Sequence, residues 1–421
     1  GAGPQQSQIV QRTAADILAC STSTSIANRG NNRMRFDGLG LFWDLATIGT
    51  VTTASGKSRT GMNGEEIGVG ALVFEDRRNV AGGANKGRGF GEKDSAANNG
   101  YWTYKADFIN LDFGAFDVSN SNTILDAIGI YVAGKIYASK FINISGRNKI
   151  GYGYVENPRG VHRITGTSGN NFTCSETCRY AVGEELIFTG LADVTPTNFA
   201  FRTQRYEVTA VSGATFAVKA VPSNTAVTSP SFTAAKIIYS MYDGDEAGEY
   251  SPDQNFYLNW DLYTERGGMS VVCNHSSAFQ NIVVYGPKHY AWQGWGRPVG
   301  TTDRKHCRKL TCTNGYLEGP TSSTYQGDPY FLIDGTNCSF DNFPHEIAPR
   351  NGSTNVQLSI SGTRNYFNKF AIEKPATQEV TLTLAGDRHV IVNSIRPSTS
   401  TLTDGSTASK VDGTHFGLST I

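Results

Sequence analysis

Runs of four to eight residues that alternate apolar and polar side chains recur through the chain, and clusters of Gly, Asn, Asp or Ser interrupt them. The segments VQLSISG (356–362), VTLTLAG (380–386) and HVIVNSI (389–395) show the alternation most clearly. Strands of this length with frequent turn clusters predict an all-β chain. A second pattern is laid over the first. The signature Phe-x-Asn-apolar occurs at Phe108–Leu111, Phe141–Ile144, Phe279–Ile282 and Phe340–Phe343, with looser copies at Cys307–Leu310 and Phe367–Phe370. Successive copies lie 33, 138, 28, 33 and 27 residues apart, a repeat of about 30 with one long step. Units that repeat at such a period stack on their neighbours. The expectation is a parallel β-helix whose coils pile apolar side chains inside and asparagines in ladders at the turns. A sandwich or a propeller competes with it, but a propeller needs longer and more regular blades.

The long step marks an interruption. Residues 160–235 read as hairpins (RYAVGEELIFTG, RYEVTAVSGATFAVKAV) and then turn rich in Ser, Thr and Pro. A small β-domain over 156–238, inserted in one coil, is expected between helix segments 31–155 and 239–397. The start of the chain, QIVQRTAADILAC within segment 1–30, is the best helix candidate, and its expected place is as a cap on the exposed first rung. Residues 398–421 are polar and are expected to form a tail that is extended or wrapped on a partner.

Composition narrows the class. Of 421 residues, 38 % are hydrophobic and only 18 % charged, with 47 Gly, 22 Phe and 19 Tyr. Lys plus Arg and Asp plus Glu number 37 each, which argues against a general nucleic-acid or anionic-membrane binder, since both need a basic excess. No apolar run approaches the roughly 20 residues of a membrane helix. The opening GAGPQQ looks foreign to a mature start, as after removal of a signal peptide. Seven cysteines are scattered without metal-ligand spacing, and Cys174 and Cys178 could close a local disulfide. These features favour an exported, extracellular protein. No cofactor and no metal are expected.

Candidate chemistry concentrates where the insertion rejoins the coil. YDGDEAGEYSPDQNFYLNWDLYTERGG (242–268) holds Asp243, Asp245, Glu246, Glu249, Asp253, Asp261 and Glu265. Alternation puts Phe256, Leu258, Trp260 and Leu262 on one face, and Tyr257, Asn259, Asp261, Tyr263 and Glu265 on the other. Residues four apart on a strand are about 13 Å apart, too far for a glycosidase pair. Carboxylates on neighbouring rungs with a diagonal offset reach about 8 Å, within the inverting window of about 6.5–9.5 Å. The partner of Asp261 or Glu265 is therefore expected on an adjacent rung or in the loop 243–249. Asp243, Glu246, Asp261 and Glu265 are the candidate catalytic carboxylates. A calcium site at Asp243, Asp245 and Glu249 is weighed against them, but the stretch is too short for the familiar twelve-residue loop. One coil later, KHYAWQGWGRP (288–298) sets Tyr290, Trp292 and Trp295 beside Lys288, His289 and Arg297. Flat rings bury the apolar faces of sugars, and cations bind sugar hydroxyls and carboxylates. With Tyr263, these are the expected substrate-binding residues for an acidic polysaccharide. The motif GRGFGEKD from Gly87 lacks the helix and the Lys-Ser/Thr ending of a phosphate loop.

The repeated coils, the insertion, the aromatic stretch and the helix-like start together resemble the tailspike depolymerases of bacteriophages, over roughly residues 30–400. The absence of a virion-binding head makes the start more similar to the exported tailspike-like glycosidases of amylovoran or stewartan exopolysaccharide clusters in plant-pathogenic enterobacteria. The resemblance implies a right-handed parallel β-helix, a homotrimer, and a secreted endo-glycosidase that cleaves an acidic bacterial exopolysaccharide or capsule with two carboxylates, by inversion. It carries no individual catalytic residue across. A polysaccharide lyase, a phage receptor-binding depolymerase and a non-catalytic adhesin are the alternatives.

Overall fold

The computed structural model describes residues 7–20, 33–49, 59–60, 66–74, 102–116, 124–132, 135–156, 162–174, 178, 182–183, 185–189, 205–221, 225, 238–242, 253–272, 274–295, 307–319, 330–346, 356–373, 380–394, 401–407 and 410–411. They are almost entirely β. One helix, Leu45–Ile48, interrupts the strands among these residues.

Two left-handed corners per coil set the frame. Lys105, Ala138, Gln254, Ser276, Lys309, Asn337, Arg364 and Arg388 take φ between 50 and 57°. Five residues after each comes a second positive φ, at Asn110, Asn143, Asn259, Asn281, Asn314, Asn342, Lys369 and Asn393. Arg33 and Gly38 make a ninth pair ahead of them, so nine coils are seen among the described residues. Asn tolerates the left-handed region better than other L-residues, which is why the second corner carries it so often. The corner also breaks the two-residue alternation. Phe141 and Ile144, three apart, both point inward and are fully buried, with Asn143 turning the chain between them. The Phe-x-Asn-apolar signature is therefore one inward residue, a corner and another inward residue.

Every coil hydrogen-bonds in parallel to the next. Phe108 pairs with Phe141, Phe141 with Tyr257, and Tyr257 with Phe279. Their rings stack at centroid separations of 4.8, 5.0 and 4.3 Å. Such contacts add roughly 0.5–1.5 kcal/mol each beyond the area they bury. Further along, Cys312 takes the same place beneath Phe340, and Phe340 stacks on Phe367 at 5.0 Å. The expected asparagine ladder is present on the outside. Asn143 Nδ2 donates to Asn110 Oδ1 at 2.9 Å, Asn259 to Asn143 at 3.0 Å and Asn281 to Asn259 at 2.8 Å. A shorter polar ladder runs inside, where Ser139 Oγ, Asn255 Oδ1 and Ser277 Oγ accept the backbone N–H groups of Ala106, Ser139 and Asn255.

The structure corrects three sequence expectations. The copy at Cys307 is out of phase by five residues: Lys309 is a first corner, and the in-register copy is Cys312–Gly315 with Asn314 at the second. The coil at Tyr257-Leu258-Asn259-Trp260, missed because Tyr replaces Phe, splits the long step into 116 and 22 residues. Second, the capping helix is absent. Ser7–Gln11 is a strand paired in parallel with Leu39–Trp43, and Leu18–Cys20 pairs with Leu72–Phe74. Between them Asp16 Oδ1 accepts the Gly70 N–H at 3.0 Å and Ala15 O accepts Trp43 Nε1–H at 3.0 Å. An open parallel edge offers backbone partners that a helix could not use. Third, the polar end does not stand apart, since Thr401–Thr407 pairs with Thr381–Asp387 and Lys410–Val411 with Val390–Ile391.

Between Glu156 and Asp253 the strand pattern changes. His162–Ser168, Asn171–Cys174, Thr215–Val221, Arg205–Ser212, Glu185–Thr189 and Ile238–Tyr242 pair antiparallel into a closed barrel. Phe172 and Phe216 stack in it at 5.3 Å. No helix among the described residues is long and apolar enough to cross a membrane.

Candidate functional site

The stretch after each asparagine corner is a parallel sheet with alternate side chains outward. Aligning the coils by register shows what lies on that face. Two residues past the corner the column reads Asp112, Ser145, Asp261, Val283, Tyr316. Four residues past the corner it reads Tyr263, Tyr285, Glu318, Glu346, Glu373 over successive coils. The result is a strip on which tyrosines and carboxylates lie side by side, two tyrosines and then three glutamates in the second column and two aspartates and a tyrosine in the first.

Within the strand Phe256–Val272, Asp261 and Tyr263 point outward and are exposed, with Tyr263 at 53 %. Trp260 and Leu262 are buried as the alternation predicts, but Phe256 and Leu258 are half-buried and Tyr257 is fully inside. The left-handed Asn259 reverses the phase between the two halves. The rungs flanking Asp261 carry Ser145 and Val283, so the expected adjacent-rung carboxylate is not there. The nearest carboxylate in the column is Asp112, two rungs away and missed in the sequence. At about 4.8 Å per rung the two stand about 9–10 Å apart along the stack.

Asp112 is the more enclosed of the two. Its side chain is 24 % exposed and its Oδ1 is buried, with Arg147 Nε 4.0 Å away and Arg147 itself donating to Ser145 Oγ at 2.8 Å. Partial burial pushes the Asp112 carboxyl above the usual range; the nearby Asp261 charge adds to this, and Arg147 opposes it. The phenol of Tyr285 is also shifted up, by desolvation and then by the charges of Asp261 and Glu318. Tyr285 and Tyr316 rings lie 6.0 Å apart. Tyr316 donates its hydroxyl hydrogen to Glu346 Oε2, and partial burial together with that bond raises its pKa further. Both tyrosines are thus held as neutral phenols at pH 7.

The other expected residues are distributed differently. Asp243, Glu246 and Arg297 lie outside the described residues. Glu265 Oε2 pairs with Lys288 Nζ at 3.3 Å, at the turn between sheets. The expected aromatic loop is in fact the strand Tyr290–Trp295, paired with Gly267–Val272 and with Phe331–Ile333. Tyr290 and Trp292 are fully buried. Trp292 stacks on Phe331 at 5.6 Å and meets Phe279 and Phe340 edge-on, while Tyr290 covers Gly267, where a Cβ would lie 2.4 Å from its ring. Neither ring has a face to offer a sugar. Trp295 is half-buried, its Nε1 donating to Gln293 Oε1 at 2.9 Å. His289 is held neutral, its pKa lowered to about 4 by burial and then by Arg266 and Lys288. Arg266 itself pairs with Asp126 at 2.6 Å. Among the described residues no three His, Cys, Asp or Glu side chains gather as metal ligands.

No family model matches the chain, and no curated protein matches it. Solved structures with a similar course include the gp54 tailspike of Acinetobacter baumannii bacteriophage AP22, in complex with A. baumannii capsular saccharide. It is 10 % identical over 73 % of this chain and 60 % of its own, with a TM-score of 0.17. The tailspike gp49 from Pseudomonas phage LKA1 is 10 % identical over 73 % of this chain and 64 % of its own, at 0.20. The Streptococcus pneumoniae surface protein and adhesin PfbA is 9 % identical over 98 % and 91 %, at 0.22. The chain thus spans less than two thirds of the two phage proteins' length. At these identities and scores the likeness assigns no residue a role.

Proposed function

We propose that the chain is an extracellular endo-glycosidase that hydrolyses a bacterial polysaccharide by inversion on the outward strip. The observation that carries the reading is the in-register pair Asp112 and Asp261, two rungs apart in one outward column, with tyrosines alongside. Asp112, whose proton is held to higher pH by its enclosure, serves as general acid to the leaving oxygen. Exposed Asp261 serves as base for the attacking water. A spacing of about 9–10 Å lies at the upper edge of the inverting range and far beyond the roughly 5–5.5 Å of a retaining pair. Tyr263 and Tyr285 offer ring faces to successive sugars, and the outward face of the stack accommodates a polymer lying across the rungs.

An acidic glycan, as the sequence suggests, needs cations to meet it. Among the described residues, Arg147 beside Asp112 and Lys288 at the sheet edge supply them near the strip. The carboxylate-rich centre between them favours uncharged units at the cleaved bond, with acidic units toward the flanks. A lyase requires a base such as a tyrosinate, and the raised phenols of Tyr285 and Tyr316 do not favour it.

The test is to incubate the protein with uronate-containing and neutral bacterial exopolysaccharides, following viscosity, reducing ends, ultraviolet absorbance and the anomer first released. Falling viscosity with new reducing ends of inverted configuration and no absorbance supports the reading. Rising absorbance means a lyase, and binding without cleavage across the panel means an adhesin.

A further inference from the structure

We infer that Cys174 and Cys178 form a disulfide site, in which an oxidant joins the end of the strand Asn171–Cys174 to the following segment against a hairpin turn of the barrel. Three observations converge on it. The two sulfurs lie 3.0 Å apart. The backbone N–H of Cys174 donates to Ala214 O and that of Cys178 to Gly213 O, both at 2.8 Å. Two consecutive carbonyls of the turn between Arg205–Ser212 and Thr215–Val221 therefore hold both residues, which keeps the two sulfurs side by side. Cys174 is buried at 4 % exposure, but Cys178 is only half-buried, so Cys178 is the thiol that meets a soluble oxidant first.

Among the five cysteines whose side chains are described, the other three lack this combination. Cys307, Cys312 and Cys338 are buried inside the coils. Burial pushes the Cys312 thiol well up and that of Cys338 to about 12, which suppresses the reactive thiolate. Among these five thiols, oxidation is thereby directed to the barrel pair. In thiol–disulfide exchange, the Cys178 thiolate attacks a small disulfide such as oxidised glutathione and expels one thiol. Cys174 then displaces the second. Two electrons and two protons leave the protein, and two small thiols carry them.

This inference stands apart from the glycan reading. Trypsin releases Ile164–Arg179, which contains these two cysteines and no other. The full chain is treated with oxidised glutathione without denaturant, then unfolded, alkylated with iodoacetamide and digested. The expected peptide carries no alkyl group and is about 2 Da lighter than the dithiol form. Two alkyl groups on that peptide, or glutathione remaining on either cysteine, would overturn the inference. As a second readout, reductant should speed proteolysis within 157–252 by about tenfold in the oxidised protein and leave Cys178→Ser unaffected. Equal rates in the wild type with and without reductant would count against the bond.

Discussion

The Tyr257 hydroxyl donates to Glu156 Oε1 at 3.2 Å, joining two residues 101 positions apart, one just before the barrel and one just after it. Tyr154 OH and Asn274 Nδ2 donate to the same oxygen at 2.7 and 2.9 Å, and the Val272 N–H donates to Oε2 at 2.9 Å. The coil is thus re-formed after the excursion around a carboxyl group that is fully enclosed. Burial raises the pKa of Glu156 from 4.5 to about 7, although all four donors favour its charged form. The folded chain therefore keeps a proton that the unfolded chain releases. Its contribution to stability is complete below about pH 4.5 and is lost as pH rises through about 7. The loss is on the order of 3 kcal/mol at most. Urea melts at pH 5 and pH 8 measure it: the wild type should lose stability over that interval relative to Glu156→Gln, which cannot ionise. Parallel pH profiles for the two proteins would show that Glu156 is ionised throughout.

The strip makes its own kinetic prediction. Asp112→Asn and Asp261→Asn should each lower kcat by about 10²–10⁴, the usual worth of a general acid or base, with melting temperatures close to wild type. Glu265→Gln removes a half-exposed partner of Lys288 and should change kcat less than about threefold, because such a pair contributes little. The alkaline limb of the activity profile should sit above the ordinary aspartate range, following the raised Asp112 pKa. If Glu265→Gln were the inactive variant and Asp112→Asn the active one, the acid would have to be sought at the sheet edge.

Much of this architecture was legible because one corner residue leaves a mark. Asn at left-handed φ gives Phe-x-Asn-apolar its three-residue inward spacing, and that spacing survives in sequence where stacking does not. The same rule hid other features. Tyr257 fills a Phe place and Cys312 fills another, so two coils were missed or misphased. Asp112 was available in principle: it stands two residues after Asn110, as Asp261 does after Asn259. Placing the copies in register reveals the pair. Trp292 misled for the opposite reason. A Gly-punctuated aromatic stretch beside Lys288 and His289 looks like a surface loop, yet Gly294 is where a neighbouring rung and the Trp292 ring approach closely. A Cβ there would lie 2.8 Å from Ile333. The N-terminal segment failed as a helix because only the folded stack shows that a strand edge awaits it.

Corner chemistry gives a stability test independent of activity. Ala138 holds φ of 50° with neither the freedom of glycine nor the side-chain amide of asparagine. Left-handed backbone costs an L-residue roughly 1–2 kcal/mol, and glycine gives back part of that gain through its unfolded-state entropy. Ala138→Gly should therefore raise stability by about 0.5–1 kcal/mol. Asn259→Ala should lower it by about 1–2 kcal/mol, since it loses the tolerant corner and the ladder bonds to Asn143 and from Asn281. Asn259→Gly should fall between Asn259→Ala and wild type. Chemical denaturation orders the three, and a neutral Asn259→Ala would mean that the outer ladder adds no stability.

Tyr263 and Trp292 separate surface recognition from core packing. Tyr263 is 53 % exposed on the strip, whereas Trp292 is enclosed between coils against Phe279, Phe331 and Phe340. Tyr263→Ala should leave the melting temperature within about 2 °C, because exposed positions outside special features shift stability by at most about 0.5 kcal/mol. It should raise KM for the glycan several-fold through loss of one stacking face. Trp292→Ala opens a cavity in the aromatic column and should cost about 3–5 kcal/mol. Trp292→Phe keeps part of the column and should recover much of the stability along with wild-type KM. The two readouts must therefore part: Tyr263→Ala moves KM alone, and the Trp292 variants move stability. A Trp292→Phe protein that melts as the wild type does but no longer binds glycan would return the indole to the binding surface and undo the assignment of the strip.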